Sequence, residues 1–172
     1  MNHNSLTPEP TPAKNIKEQD TRRDRSVISD ARGETSAAEI LDERVLTALH
    51  AASDKKALDL IVLDLRAVAS FTDLFLIASG TNARQVQAIA DEVVERLKKS
   101  GTKAARVEGY KTAEWVLLDY GDFIFHIFEE KARRFYDLER LWRDAVRVQL
   151  PPELAGGDSG DGAPERSLRI ES

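Results

Sequence analysis

The sequence predicts an α/β protein: a single domain in which helices pack on a mixed β-sheet of about five strands. Apolar runs of strand length, such as 59–65 and 74–79, alternate along the chain with segments whose apolar residues recur at helical spacing. Hydrophobic residues make up 41% and charged residues 32% of the 172 residues, an ordinary balance for a soluble domain. The order of segments, α-β-β-α-β-β-β-α, is typical of a sheet covered by helices.

Both ends of the chain differ from its middle. Residues 1–35 combine three prolines with six acidic and six basic residues and few large apolar ones, which predicts a disordered tail. Residues 151–172 are rich in Gly, Pro and Asp and carry five acids against two arginines, which predicts a second, acidic disordered tail. The domain is therefore placed at 36–150, where −2 of the net charge of −5 remains.

The domain begins with a helix and two strands. Ser36 and Glu39 have the spacing of a capping box, and apolar residues follow at helical spacing as far as Ala52. The runs 59–65 and 74–79 are apolar without alternation. We therefore expect both strands to lie in a sheet that is covered on its two faces.

A second helix is expected from Asn82 to about Ser100. Asn82 is a good N-cap, Gln85 completes a box with it, and Gly101 is a natural stop. One face of this helix is apolar and should be buried: Val86, Ile89, Ala90, Val93, Val94 and Leu97.

The second half is expected to hold three strands and a last helix. Residues 104–109 are a short strand candidate, and 115–128 suit two strands around a tight turn at Tyr120 and Gly121. A helix is expected over roughly 131–148, ended by the prolines that follow. Its inward residues would be Leu138, Leu141, Trp142, Ala145 and Val146.

Composition excludes several classes of function. The chain has no cysteine, so disulfides, thiol catalysis and thiolate zinc sites are ruled out. Its three histidines are far apart in sequence, and no metal or cofactor is expected. The apolar runs are shorter than the roughly 20 residues that span a bilayer. With no secretory apolar core and six acids near the N-terminus, the sequence predicts a cytoplasmic protein without a membrane segment.

The turn Ser79-Gly80-Thr81 is the strongest candidate for an enzyme site. Free backbone N–H groups at the start of the following helix could hold a nucleotide phosphate. The favoured alternative is an ordinary strand-to-helix turn, because the further glycines and the lysine of a phosphate-binding loop are missing. Nucleotidyl transfer would also need two carboxylates on one strand. The nearest acids, Asp91 and Glu92, are adjacent on a helix and point about 100° apart.

Asp119, Asp122 and His126 surround the second turn but do not predict catalysis. Aspartate is common at turns because its side chain accepts hydrogen bonds from nearby backbone N–H groups. His126 shares a strand face with Ile124 and Phe128, where a lone histidine is more often structural or a surface contact. No serine has a paired base. We therefore expect a protein that is not an enzyme.

Two further features suggest contacts with a partner. Lys131, Arg133 and Arg134 could make an auxiliary contact with RNA phosphate, or could be a solvated loop paired with the preceding glutamates. Trp115 stands at the start of a strand, where tryptophan is either an interface anchor or a cap on the core. These residues alone leave both alternatives open.

A family resemblance is carried by three stretches: FTDLFLIASGTNARQVQAIADEVVERL, VEGYKTAEWVLLDYGDFIFHIF and RRFYDLERLW. Together they resemble the ribosomal silencing factor family, also known as the RsfS or Iojap family, over about residues 37–145. The resemblance implies a single α/β domain that is related in shape to nucleotidyltransferases but lacks their catalytic acids.

The resemblance also implies a function and a docking surface. Members of the family bind the large ribosomal subunit through its protein fourteen, block joining of the small subunit, and lower translation under nutrient limitation or in stationary phase. Organelle relatives act in large-subunit assembly, and the sequence does not separate the two roles. Some members form homodimers, so a homodimer is a further expectation.

The same resemblance assigns the docking role to Trp115, with neighbouring residues Leu117, Leu118, Asp119 and Tyr120 as the rest of the partner-binding set. Trp115 would supply the apolar anchor. Asp119, or Asp122 beside it, would meet basic side chains of a ribosomal protein.

Overall fold

A computed structural model describes residues 37–155 of the chain. The predicted tail 1–35, the proposed cap Ser36 and the residues after 155 lie outside this range. The elements in chain order are α1 (Ala37–Ile40), α2 (Glu43–Asp54), β1 (Leu58–Asp64), β2 (Leu74–Gly80), α3 (Ala83–Lys99), β3 (Arg106–Glu108), β4 (Trp115–Asp119), β5 (Phe123–Glu129), α4 (Glu130–Tyr136), α5 (Leu138–Leu141), β6 (Val146–Arg147) and α6 (Pro152–Ala155).

The first helical segment is two helices, where the sequence predicted one. The chain interrupts the helix at Asp42, whose backbone is extended. The Asp42 carboxylate accepts a hydrogen bond from the Val45 backbone N–H at 2.9 Å and so caps α2. The expected apolar face is nevertheless correct, because all of its members are buried: Leu41, Val45, Ala48, Leu49 and Ala52.

The sheet is mixed, as predicted, and has six strands in the order β3-β4-β5-β2-β1-β6. β2 and β5 run parallel at its centre, and the other neighbours are antiparallel. Every residue of β2 is buried, which confirms that this strand is covered on both faces. The predicted helix at Asn82 is also confirmed, since the Asn82 side chain accepts from the Gln85 N–H at 2.9 Å and the helix ends at Lys99.

The two faces of the sheet are covered unequally. Helices α2 and α3 pack on one face, which we call the helix-covered face. Its sheet residues include Val62, Leu76, Val116, Leu118, Phe125 and Ile127. The other face, which we call the aromatic face, is covered by the much shorter α4 and α5. It consists of Ile61, Leu63, Leu65, Phe75, Ile77, Ile124, Phe128 and Leu138, with Trp115, Leu117 and Trp142 partly buried against them.

The predicted last helix is wrong beyond its first two turns. Asp137 has a left-handed backbone, with φ 47° and ψ 58°, and it divides α4 from α5. After α5 the chain becomes β6, which pairs with the edge of β1 and supplies the sixth strand. Two residues expected to face inward are therefore exposed, Leu141 at 71% and Val146 at 56%. Strand pairing with β1 is therefore formed here in place of the helix that the spacing of the apolar residues predicted.

The packed part of the chain continues past residue 150, where the sequence placed the start of a tail. Leu154, in α6, is buried within the helix-covered cluster. Among residues 37–155, no helix is long and apolar enough to cross a membrane.

Candidate partner-binding surface

β4 presents alternate side chains to the two faces of the sheet. Trp115, Leu117 and Asp119 are half-buried, whereas Val116 and Leu118 between them are buried. This alternation is the ordinary consequence of strand geometry. Trp115 and Leu117 pack against the aromatic face, and Leu118 packs beneath α2 and α3.

The five predicted docking residues therefore do not form one surface. Leu118 and Tyr120 are both buried in the helix-covered cluster. The Tyr120 ring stacks on Phe123 at 4.9 Å between centroids, and burial raises the pKa of its hydroxyl to about 12. The structure leaves Trp115, Leu117 and Asp119 able to reach a partner.

The Trp115 indole is held by aromatic neighbours. It stacks on Phe128, with 5.0 Å between ring centroids and 29° between planes, and lies 4.7 Å from the Tyr136 ring. Its Nε1–H donates a hydrogen bond to Nδ1 of His126 at 3.0 Å. Trp115 therefore packs on the core and remains partly exposed, which is compatible with either sequence alternative.

His126 is a buried member of this aromatic packing. Only 3% of the residue is exposed, and its ring lies 4.4 Å from that of Phe75 in a T-shaped arrangement. Burial lowers the pKa of His126 to about 4, so the imidazole is neutral near pH 7. A neutral imidazole can accept at one nitrogen, as the bond from Trp115 requires.

Exposed aromatic side chains extend the surface beyond Trp115. Phe135, 81% exposed, packs edge-on against Tyr136, which in turn contacts Trp115. On the far side of Phe75, the exposed Phe71 contacts Trp142 with 5.9 Å between ring centroids. Phe135, Tyr136 and Trp115 are linked ring to ring, and adjoining exposed apolar groups of this kind are a candidate interaction site. Sequence reasoning missed Phe135 and Tyr136. Phe135 stands three residues before Leu138 and seven before Trp142, a spacing that fits the inward face of the predicted last helix and so gave no sign of its exposure. Only Tyr136 lies off that face.

The carboxylates around the turn are engaged with their neighbours. Asp119 accepts from the Gly121 backbone N–H at 2.9 Å and pairs with Arg106 at 3.4 Å. Asp122 pairs with Arg44. The expected structural role of turn aspartates is therefore observed at Asp119.

The predicted basic cluster divides in the structure. The Arg133 side chain is only 12% exposed, and its guanidinium donates to Glu139 at 2.7 Å and to the Ser79 hydroxyl at 2.9 Å. Arg133 therefore joins elements of the fold and does not face a nucleic acid. Lys131 and Arg134 remain exposed.

The turn at Ser79-Gly80-Thr81 is occupied by the protein itself. The Thr81 backbone N–H donates to the Gln85 side chain at 2.7 Å, so this N–H already has an acceptor and is not free to bind a phosphate. A Cβ at Gly80 would lie 3.0 Å from Val86, which explains the glycine by close packing of α3 on β2. A polar cleft of about 680 Å³ lies beside Ser79. Because both arginines and carboxylates line it, its charge favours neither an anionic nor a cationic ligand. No group of three potential metal ligands occurs within residues 37–155.

Comparison with known proteins identifies the family of the chain. The family model described as "Ribosomal silencing factor during starvation" matches residues 37–169. A ribosomal silencing factor from Halalkalibacterium halodurans is 41% identical over 108 residues, which cover 63% of this chain and 92% of that one. A mouse protein named for mitochondrial assembly of the ribosomal large subunit is 30% identical over 91 residues, covering 51% of this chain and 40% of its own.

The fold is also shared with solved structures. A crystal structure of a protein from Chromobacterium violaceum matches with a TM-score of 0.58 and 36% identity, covering 63% of this chain and 88% of that chain. The predicted α/β class with a mixed sheet is thus confirmed. With more than half of its length matched by one family model, this chain belongs to the ribosomal silencing factor family.

Proposed function

We propose that this protein binds the large ribosomal subunit through ribosomal protein fourteen and represses translation by blocking the joining of the small subunit. Its action would be strongest under nutrient limitation or in stationary phase. Two findings support the proposal: membership of a family whose name describes silencing during starvation, and a relative named for assembly of the ribosomal large subunit.

The observation that carries the proposal is the half-buried Trp115 beside exposed apolar groups. Phe135 and Tyr136 on α4 and Leu117 on β4 continue the surface that Trp115 begins. Large aromatic side chains dominate the energetics of protein interfaces, above all where an anchor is already packed on one side. Such a surface suits a folded protein partner with a complementary apolar patch.

The charge of the chain suits a ribosomal partner. The net charge of −5 opposes the basic character that ribosomal proteins generally have, which favours encounter. Asp119, half-buried at the end of β4, would exchange part of its pairing with Arg106 for a basic group of the partner. Lys131 and Arg134, exposed on the helix that carries Phe135, would make the auxiliary contact with RNA phosphate.

The proposed mechanism is steric, and the protein acts without catalysis. Three features support this. His126 is buried and engaged by Trp115, the Thr81 N–H is capped by Gln85, and Asp91 accepts a hydrogen bond from the Tyr110 hydroxyl at 3.0 Å. Occupying the joining face of the large subunit requires no bond to be made or broken.

Co-sedimentation with separated ribosomal subunits tests the proposal. We expect the protein to sediment with the large subunit alone. Trp115→Ala should weaken this binding by more than about 1 kcal/mol, roughly fivefold, while the circular dichroism of the variant stays native. Tyr110→Ala is the matched control, because Tyr110 is an exposed aromatic residue hydrogen-bonded to α3. Folded protein that binds neither subunit at moderate salt would overturn the proposal.

Assembly of the large subunit is the second candidate function, favoured by the name of the mouse relative. It uses the same surface, so binding alone does not distinguish it. A subunit-joining assay does: a silencing factor slows joining of purified mature subunits, whereas a pure assembly factor leaves that rate unchanged. Sedimentation velocity on the same sample tests the expected homodimer.

A further inference from the structure

His126 and Trp115 form a polar pair inside an otherwise apolar cluster. In the register of β4 and β5, Trp115 lies opposite Phe128 and Leu117 lies opposite His126, so the two side chains are diagonal neighbours on the aromatic face. The indole Nε1–H donates to His126 Nδ1 at 3.0 Å. The surrounding rings, Phe75 and Phe128, offer no competing acceptor oxygen or nitrogen.

This hydrogen bond determines the tautomer of His126. Nδ1 accepts only if it carries no proton, so the proton of the neutral ring resides on Nε2. Within residues 37–155, the buried Nε2 has no hydrogen-bond partner. An unpaired buried donor costs about 1–3 kcal/mol, a cost that an apolar residue at this position would avoid. Stability alone therefore does not account for a histidine here.

The pair does supply an orientation. Stacking on Phe128 and packing on Tyr136 hold the plane of the Trp115 indole, but they distinguish weakly between the two rotations of the ring about its Cβ–Cγ bond, about 180° apart, that leave it in that plane. A directional bond from Nε1 to a fixed acceptor selects one rotation. It thereby determines which edge of the indole is presented at the surface.

We propose that His126 is a positioning residue for Trp115, and that its Nδ1 holds the indole in the orientation that the ribosomal partner binds. The inference rests on the proposed function, in which Trp115 is the anchor of the interface. An anchor that is already oriented loses less side-chain entropy when the partner binds, and this smaller loss raises the affinity. His126 itself is too deeply buried to touch the partner.

Two substitutions at one position separate orientation from stability. His126→Asn keeps an acceptor oxygen near the place of Nδ1, whereas His126→Leu is apolar, of similar size, and has no acceptor. We expect His126→Leu to remain folded, with a thermal midpoint no lower than that of His126→Asn, yet to bind the large subunit about fivefold or more weakly. His126→Asn should bind within about twofold of the wild type, which a purely structural role would not predict.

The hydrogen bond itself can be observed by NMR of the ¹⁵N-labelled full chain. An N–H···N bond transmits a scalar coupling between its two nitrogens, which we expect between Trp115 Nε1 and His126 Nδ1. The indole of Trp142, the other tryptophan of the chain, is the internal comparison. The imidazole ¹⁵N shifts should report a bare Nδ1 and a protonated Nε2.

The outcomes are distinct. Native affinity in folded His126→Leu, while the wild type binds, overturns the positioning role and leaves the proposed function standing. Failure of the wild type to bind overturns both. If neither variant folds, the wild-type spectrum decides, because a protonated Nδ1 or an absent coupling contradicts the inference.

Discussion

At the scale of single residues, neighbouring side chains on β4 have opposite environments. Leu117 faces outward beside Trp115, and Leu118 lies fully buried beneath the helices. The sequence predicted the strand but could not assign its faces, because apolar residues occupy both sides of it. That choice depends on which helices cover which face, and this is a property of the whole fold.

Alanine substitution at the two leucines should give opposite results. Leu118→Ala removes a fully buried side chain and should lower the free energy of unfolding by about 2–5 kcal/mol. Compared with Leu118→Ala, Leu117→Ala should lower the free energy of unfolding less and weaken binding to the large subunit more. Urea denaturation and co-sedimentation on both variants measure the contrast, and equal losses of stability would contradict the assignment of faces.

The burial of His126 should make stability depend on pH. The folded-state pKa of about 4 lies below the ordinary value of 6.5, so between these values the unfolded chain binds a proton that the folded chain does not. The contribution of His126 is therefore complete above pH 6.5 and is lost as the pH falls toward 4. It amounts to about 3 kcal/mol.

Denaturation of the wild type and of His126→Asn across this window isolates the effect from that of the carboxylates. We expect the free energy of unfolding of the wild type to fall more steeply with decreasing pH. Parallel curves for the two proteins would show that His126 titrates normally in the folded state.

At the scale of elements, the sequence predicted correctly those helices whose signals lie within one segment. It was wrong where an element depends on residues far apart in sequence. The helix at Asn82 was predicted correctly because its cap, its apolar face and its stop all lie within the segment. The helix predicted over 131–148 failed because its interruption depends on a left-handed Asp137 and on pairing of β6 with β1, far away in sequence. The candidate surface divides in the same way: the strand that carries Trp115 was predicted from its own apolar run, whereas the exposure of Phe135 depends on where α4 ends.

Gly109 shows how one element positions another. Its φ is +77°, and a Cβ at this position would clash with the carbonyl oxygen of Trp115. Gly109→Ala should therefore displace the start of β4, lower the free energy of unfolding by at least about 2 kcal/mol, and weaken ribosome binding.

Gly121 provides the matched control. It also has a positive φ, +87°, but nothing lies within 4 Å of a Cβ built there. Gly121→Ala should show only the backbone cost, about 1–2 kcal/mol, with native binding. Equal effects of the two substitutions, measured by denaturation and co-sedimentation, would argue against a clash at Trp115.

At the scale of the molecule, the packed domain ends later than its composition suggests. The segment after residue 150 is rich in Pro, Gly and acidic residues, which predicted a tail from Pro151 onward. A single buried leucine, Leu154, changes that boundary, because it fills a place in the core beside α2. Composition averaged over a segment does not detect one such residue.

Two truncations test this boundary. A chain that ends after Ala155 should unfold with the same free energy as the full chain. A chain that ends after Leu150 loses the burial of Leu154 and should be less stable by about 1.5–3 kcal/mol. Thermal denaturation distinguishes the two, and equal midpoints would place the boundary at residue 150.

The unequal covering of the sheet has a consequence for local opening. Helices of seven and four residues, as α4 and α5 are, do not persist by themselves in water. Their order depends on tertiary contacts such as that of Arg133 with Glu139 and Ser79. We therefore expect the segment that carries Phe135 and Tyr136 to open with a smaller free energy than the central strands. Breaking the Arg133 contacts would unfold the part of the docking surface that α4 carries, while the sheet beneath it stayed folded.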